Sequence, residues 1–140
     1  MNAVLCSLFV FNMVENFKYS DLTQKIIGCA MTVHRTLGGA NFTEVIYQRA
    51  LMKELTESGI EARHEEELPV YYKDEIIGKK RLDILIENKI LIELKAVSQF
   101  ESYHYNQLIN YLNVFKLEVG LLLNFGAKSL EFKRFVNKNM

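Results

Sequence analysis

Two carboxylates and a lysine, Asp83, Glu93 and Lys95, stand on either side of the segment Ile86-Glu87-Asn88-Lys89-Ile90, within runs where side-chain character changes from residue to residue. Alternation with period two is the pattern of strands, and Asn88 tolerates the left-handed backbone of a tight connection, so the spacing predicts a hairpin turning at Asn88. Positions equidistant from Asn88 then face one another. Asp83 falls opposite Glu93, with Arg81, Asp83 and Leu85 sharing one face with Leu91, Glu93 and Lys95, while Leu82, Ile84, Ile86, Ile90, Ile92 and Leu94 fill the other. Directly opposed strand residues hold their Cβ atoms about 4.5–5.5 Å apart, where two carboxylates repel unless a positive group lies between them. A divalent cation meets that need, since Mg²⁺ takes one or two carboxylates and completes its shell with water and substrate phosphate. Lys95, on the same face as Glu93, would add an ammonium able to orient a water or offset charge developing on a phosphate. The same residues also suit plain cross-strand ion pairs, Lys95 and Arg81 neutralising Glu93 and Asp83 on a half-exposed sheet. The hairpin by itself leaves both readings open.

The elements that must position these residues can be read from the periods. Ser20-Asp21 offers a helix N-terminus, and Leu22, Ile26, Ala30, Val33 and Leu37 recur at spacings of three and four until Gly38-Gly39 ends the stripe. A second helix is expected from about Thr43 to Ser58, with Ile46, Ala50, Leu51 and Leu55 inward and Gly59 at its C-terminal cap. From Ile60 the period changes to that of strands, expected at Ile60 to Glu66, Pro69 to Tyr72, Ile76 to Ile86 and Ile90 to Ala96, with a turn at Lys73-Asp74. A third helix, about Ser102 to Phe115, would bury Leu108, Ile109, Leu112 and Phe115. The wholly apolar run Val119 to Leu123 reads as a central strand covered on both faces, and Leu130 to Val136 as a last, more exposed strand. The order is helix, helix, three or four strands, helix, two strands, which is an α/β chain.

Asp83 followed ten residues later by Glu93-Leu94-Lys95 resembles the D…ExK core of the PD-(D/E)xK nuclease superfamily. The segment from Leu37 through Glu44 to Tyr47, followed by Ala50-Leu51, is similar to the signature of the small GxxExxY proteins of that superfamily. Leu68-Pro69-Val70-Tyr71-Tyr72, Ile92 to Ala96 and Leu121 to Gly126 are similar to its later blocks, so the likeness runs from about Tyr19 to Val136. The resemblance implies a restriction-endonuclease-like fold, a central mixed β-sheet flanked by helices, and metal-dependent hydrolysis of DNA phosphodiester bonds with Mg²⁺ or Mn²⁺. It makes Glu44, Asp83 and Glu93 the metal ligands, in one cleft with Lys95 as the catalytic cation, and gives Gln107 and Tyr111, one helical turn apart, a supporting or substrate-binding role. Asn41 stands where the signature has Gly, a replacement suited to a position of positive φ. Leu82 stands where a proline precedes the first aspartate. Without the resemblance, Glu44 reads as a carboxylate favoured by the helix dipole, Gln107, Tyr111 and His104 as helix-surface residues, and Tyr47 as a packing residue.

Length and charge bound what the chain can be. Its 140 residues suit one hydrophobic core, expected over residues 19–140, with residues 1–18 a loosely ordered N-terminal extension. Seventeen basic residues balance seventeen acidic ones, so no overall positive field draws the chain onto nucleic acid, and any such contact must be local. Met1 to Val14 is apolar, but no Lys or Arg precedes it, no small-residue cleavage site follows, and it is too short for a bilayer. Cys6 and Cys29 have no ligand spacing with His34, His64 or His104 and read as reduced thiols. A cytoplasmic location without membrane contact is the expectation. Two alternatives to the enzyme remain: a catalytically silent binding module on the same fold, and a subunit whose substrate surface comes from a homodimer or partner protein, to which the apolar Leu5 to Phe11 gives a hint.

Overall fold

The computed structural model describes residues 17–140. The reading of the first eighteen residues as a loose extension, with Cys6 and Leu5 to Phe11, falls almost wholly outside the described residues. These form helices α1 (Ser20–Leu37) and α2 (Glu44–Glu57), strands β1 (Arg63–Tyr72), β2 (Glu75–Ile86) and β3 (Ile90–Lys95), helix α3 (Ser102–Val114), and strands β4 (Val119–Asn124) and β5 (Glu131–Val136). The strands make one five-stranded sheet in the order β1-β2-β3-β4-β5. Neighbours are antiparallel except β3 and β4, which run parallel from Ile90 beside Val119 to Lys95 beside Asn124. A parallel pair requires a crossover, and α3 supplies it.

The apolar stripes decide which helix covers which face. Ile26, Ala30 and Val33 of α1 and Tyr47, Leu51 and Leu55 of α2 pack on Ile84, Ile86, Ile90, Ile92, Leu94, Val119, Leu121 and Leu123. On the opposite face Leu108 and Leu112 of α3 pack with Leu82, Leu85, Leu91 and Leu122. Strands β3 and β4 are thus apolar at nearly every position because both of their faces are covered. The run from Val119 is the central strand its composition predicted, buried throughout.

Several local expectations are corrected. The stretches expected at Ile60 to Glu66 and Pro69 to Tyr72 join in one strand, β1, which starts only at Arg63 and runs through Pro69 because Pro69 lies on an edge strand, where a missing N–H is tolerated. Ile46 and Ile109, expected inward, are each 41% exposed. Each lies one residue, about 100° of helix, from the buried row that begins at Tyr47 or Leu108. The turns use left-handed backbone as expected: Lys73 and Asp74 have φ 49° and 66°, Glu87 and Asn88 φ 55° and 54°, the paired positive values of a type I′ hairpin.

Candidate active site

The ladder between β2 and β3 pairs Ile86 with Ile90, Leu85 with Leu91 and Ile84 with Ile92. One more step brings Asp83 opposite Glu93, but there the backbone pairing ends and the side chains take it over. The Leu94 N–H donates to Asp83 Oδ2 at 2.8 Å, and the Asp83 N–H donates to Glu93 Oε1 at 3.4 Å. Pairing with β1 is interrupted at the same level, between His64 opposite Ile84 and Glu66 opposite Leu82, where Glu65 has φ 54°. Across this break β2 changes the phase of its alternation. Leu82 belongs to the core under α3 while Ile84 belongs to the core under α1 and α2, so Leu82 does not share a face with Ile84 as strict alternation expects. Arg81 is likewise not on the face of Glu93 and Lys95, and its guanidinium stands 3.8 Å from Glu67 instead. Lys80 takes that face, its Nζ 5.3 Å from the ring centroid of Tyr111.

Glu93 is 8% exposed. Burial first, and the neighbouring Asp83 carboxylate second, push its carboxyl up to about 8. The Lys95 ammonium donates to Gln107 Oε1 at 3.3 Å and forms no ion pair with either carboxylate. On the far side, the Gln48 amide of α2 donates to the Asp83 carbonyl at 3.4 Å. Asp83 is therefore held by β3 through its side chain and N–H and by α2 through its carbonyl.

The structure joins Asp83 to Glu93 and Lys95 to Gln107, with Tyr111 one turn further along α3. Glu44 is not drawn into this group. It is the exposed first residue of α2, and the inward contacts of that helix begin three and four residues later at Tyr47 and Gln48. Helical spacing puts Glu44 on the same face as Gln48, one turn before it, so its side chain points along the same side as the residue that reaches Asp83. Among the described residues, no three His, Cys, Asp or Glu side chains are gathered as a metal-holding group.

The supporting residues have definite tasks. The Tyr47 hydroxyl donates to the Gly38 carbonyl at 2.6 Å and accepts from the Asn41 N–H at 3.2 Å, while its ring stacks on Phe125 at 4.9 Å. It fixes the loop that leads into Glu44. Positive φ in that loop falls on Gly38, at 78°, and Ala40, at 61°, not on Asn41 as the Gly-to-Asn replacement suggested. Asn41 instead donates its side-chain amide to the Leu37 carbonyl at the end of α1. His34 bonds the Ala127 carbonyl, and His104 accepts from the Glu101 N–H in a capping box at the start of α3, so neither histidine serves the carboxylates. Sequence reasoning missed Gln48 and Asn124. Asn124, wholly buried, accepts from the N–H groups of Val97 and Gly126 and donates to the Val97 carbonyl and to Glu131. It ties the segment after Lys95 to the end of β4. The signals were a glutamine between buried Tyr47 and Leu51, and an asparagine ending a wholly apolar strand.

A mixed sheet between two helix layers, with a carboxylate pair and a lysine on two adjacent strands, is an α/β arrangement consistent with the PD-(D/E)XK nuclease fold. A model of the PD-(D/E)XK nuclease superfamily matches residues 20–135, and the chain belongs to that superfamily. Among solved structures, the one described as the crystal structure of SSO0001 is similar, with a TM-score of 0.54 and 24% identity over 67% of this chain and 50% of that one. This chain thus corresponds to about half of that structure, and the likeness is one of fold. No curated protein matches this chain in sequence. No helix among the described residues is long and apolar enough to cross a membrane.

Proposed function

We propose that the chain is a divalent-metal-dependent nuclease that hydrolyses DNA phosphodiester bonds in the cytoplasm, and that within its superfamily it belongs to the GxxExxY group. The observation that carries this reading is the Asp83–Glu93 pair. Two carboxylates meet with one nearly buried, and neither Lys95 nor Arg81 forms an ion pair with them, the pull of Lys95 on Glu93 being outweighed by burial and Asp83. Plain cross-strand ion pairing is therefore not what these residues are arranged for. Such a donor set fits a hard, oxygen-seeking cation such as Mg²⁺ or Mn²⁺, for which two carboxylates suffice when water and phosphate complete the shell.

Asp83 and Glu93 would hold the metal, with Glu44 reaching in from the first turn of α2 as a third carboxylate. When bound, the cation would polarise the phosphate and acidify a water. Asp83 is fixed for this by the Leu94 amide, which sets the direction of its free oxygen. Lys95 would place its ammonium against the attacking water or the developing phosphate charge, and Gln107 would hold that ammonium in place. Tyr111 would brace the strand side of the cleft. Tyr47 supports the group assignment, since it reaches back from three residues after Glu44 to lock the loop before it.

A catalytically silent module is the second reading, favoured by the position of Glu44 outside the carboxylate contact. Cleavage of single- and double-stranded DNA with Mg²⁺ or Mn²⁺ decides between them. The wild type should cut, while Lys95→Ala should lose cleavage and still show metal-induced stabilisation, because it removes the cation but no ligand. Metal-induced stabilisation with no cleavage of either substrate would favour the silent module.

A further inference from the structure

The long hairpin of β1 and β2 extends well past the point where α3 covers the sheet. All residues from Tyr71 to Lys79 are exposed, and at its tip Tyr71, Tyr72, Ile76 and Ile77 are 60%, 62%, 59% and 62% accessible. Large apolar side chains are normally left so bare only where something covers them. They are interleaved with Lys73, whose Nζ lies 5.7 Å from the Tyr72 ring centroid, and with Asp74 and Glu75 at the turn, and followed by Lys79, Lys80 and Arg81 toward the base.

The phase change at Asp83 gives the hairpin a direction. Lys80 lies over Tyr111, Tyr111 stands one turn from Gln107, and Gln107 bonds Lys95. A line of donors and an aromatic ring thus runs from the carboxylate pair along α3 to the base of the hairpin. From Lys80 to Ile76 is about 13 Å of strand, the reach of roughly two nucleotides of extended single strand.

We propose that this hairpin is a binding arm for single-stranded nucleic acid, with Lys80 contacting a phosphate and Tyr72, which alternation from Leu68 through Val70 puts on the Lys80 face, stacking on a base. The arm deepens the nuclease reading and rests on it for the direction of the strand. Lysine is depleted in protein–protein interfaces, whereas aromatic faces beside cations are the usual means of holding a single strand without reading its sequence. A single strand also suits a chain with no net positive charge, since stacking supplies affinity that does not depend on a large basic surface.

Anisotropy of a labelled oligothymidylate strand, measured in EDTA, tests the arm apart from any cleavage. The wild type should bind, and Tyr72→Ala should weaken binding at least about fivefold with little change in salt dependence. Tyr72→Phe should restore it. Lys80→Met, which keeps an aliphatic stem over Tyr111, should weaken binding and lower the salt slope by about 0.7. All variants should melt with the metal-free wild type. Absence of binding by the wild type, or binding by the alanine or the methionine variant as tight as that of the wild type, overturns the proposal. So does sedimentation showing a wild-type dimer that Tyr71→Ala/Tyr72→Ala makes monomeric, because the tip would then belong to a second copy. Metal-dependent cleavage by the wild type, assayed separately, shows whether the nuclease reading fails with the arm or stands without it.

Discussion

Glu93 occupies a position where its charge is unfavourable, and the consequence can be read as pH dependence. Burial, then Asp83, raises its carboxyl from 4.5 to about 8 in the folded chain, so the native state binds that proton more tightly than the unfolded state. The resulting stability is fully present below the unfolded value and is lost as pH rises through the folded one, so metal-free protein should weaken between about pH 4.5 and 8. Glu93→Gln removes the titration. In EDTA its melting temperature should exceed that of the wild type by several degrees at pH 8 and approach it near pH 5, each kcal/mol being worth about 2–4 °C in a domain of this size. Parallel melting curves for the two proteins across that range would show that burial does not govern Glu93. The apposition of Asp83 and Glu93 was legible in the sequence because it needs only a turn centre and a two-residue period. Gln48 and Asn124 were not, because a buried amide has no period and its partners, the Asp83 carbonyl and the Val97 backbone, are distant in sequence.

The elements followed their periods closely, and the face errors on β2 have one cause. Helices α1, α2 and α3 and the strands fall near where the patterns put them, with two expected strands joined as β1, but Leu82 and Arg81 were assigned to the wrong faces. Strict alternation assumes an unbroken ladder, and the ladder breaks at the residue whose side chain replaces a backbone partner. A polar side chain that bonds a neighbouring strand's amide thus marks both a functional position and a change of phase. Asn124 closes the same end of the sheet. It serves the Val97 N–H and carbonyl and the Gly126 N–H, while Gly126 lies so close that a Cβ there would come within 2.4 Å of the Val97 backbone. Asn124→Ala should leave those groups unpaired and destabilise the fold by about 2–4 kcal/mol. Hydrogen exchange at the Val97 and Gly126 amides should quicken more than at the centre of β4. Uniform acceleration would mean that Asn124 supports the fold at large and not the segment that carries Lys95.

At the scale of the molecule, zero net charge leaves the carboxylate pair without a general field to neutralise it, so its energy must be settled locally, by a proton or by a cation. The two compete for Glu93. Below about pH 8 a metal must displace the proton, so its apparent affinity should fall by up to about tenfold per pH unit on the acid side. Binding to the native state alone raises stability by RT ln(1 + [L]/Kd), about 2.7 kcal/mol at a hundredfold excess over Kd. The two trends then have opposite signs. Metal-free protein loses stability as pH rises toward 8, while the increment from Mg²⁺ or Mn²⁺ grows over the same range, so melting curves with and without metal should diverge with pH. Asp83→Asn should shrink the increment strongly, and Glu44→Gln should shrink it less, because Glu44 lies outside the carboxylate contact and would join only once a cation is present. Calorimetric melts at a fixed metal concentration across pH 5 to 8 check both orders. An increment independent of pH would place the cation away from Glu93, and an equal loss in the Glu44 and Asp83 variants would place Glu44 in the first contact after all.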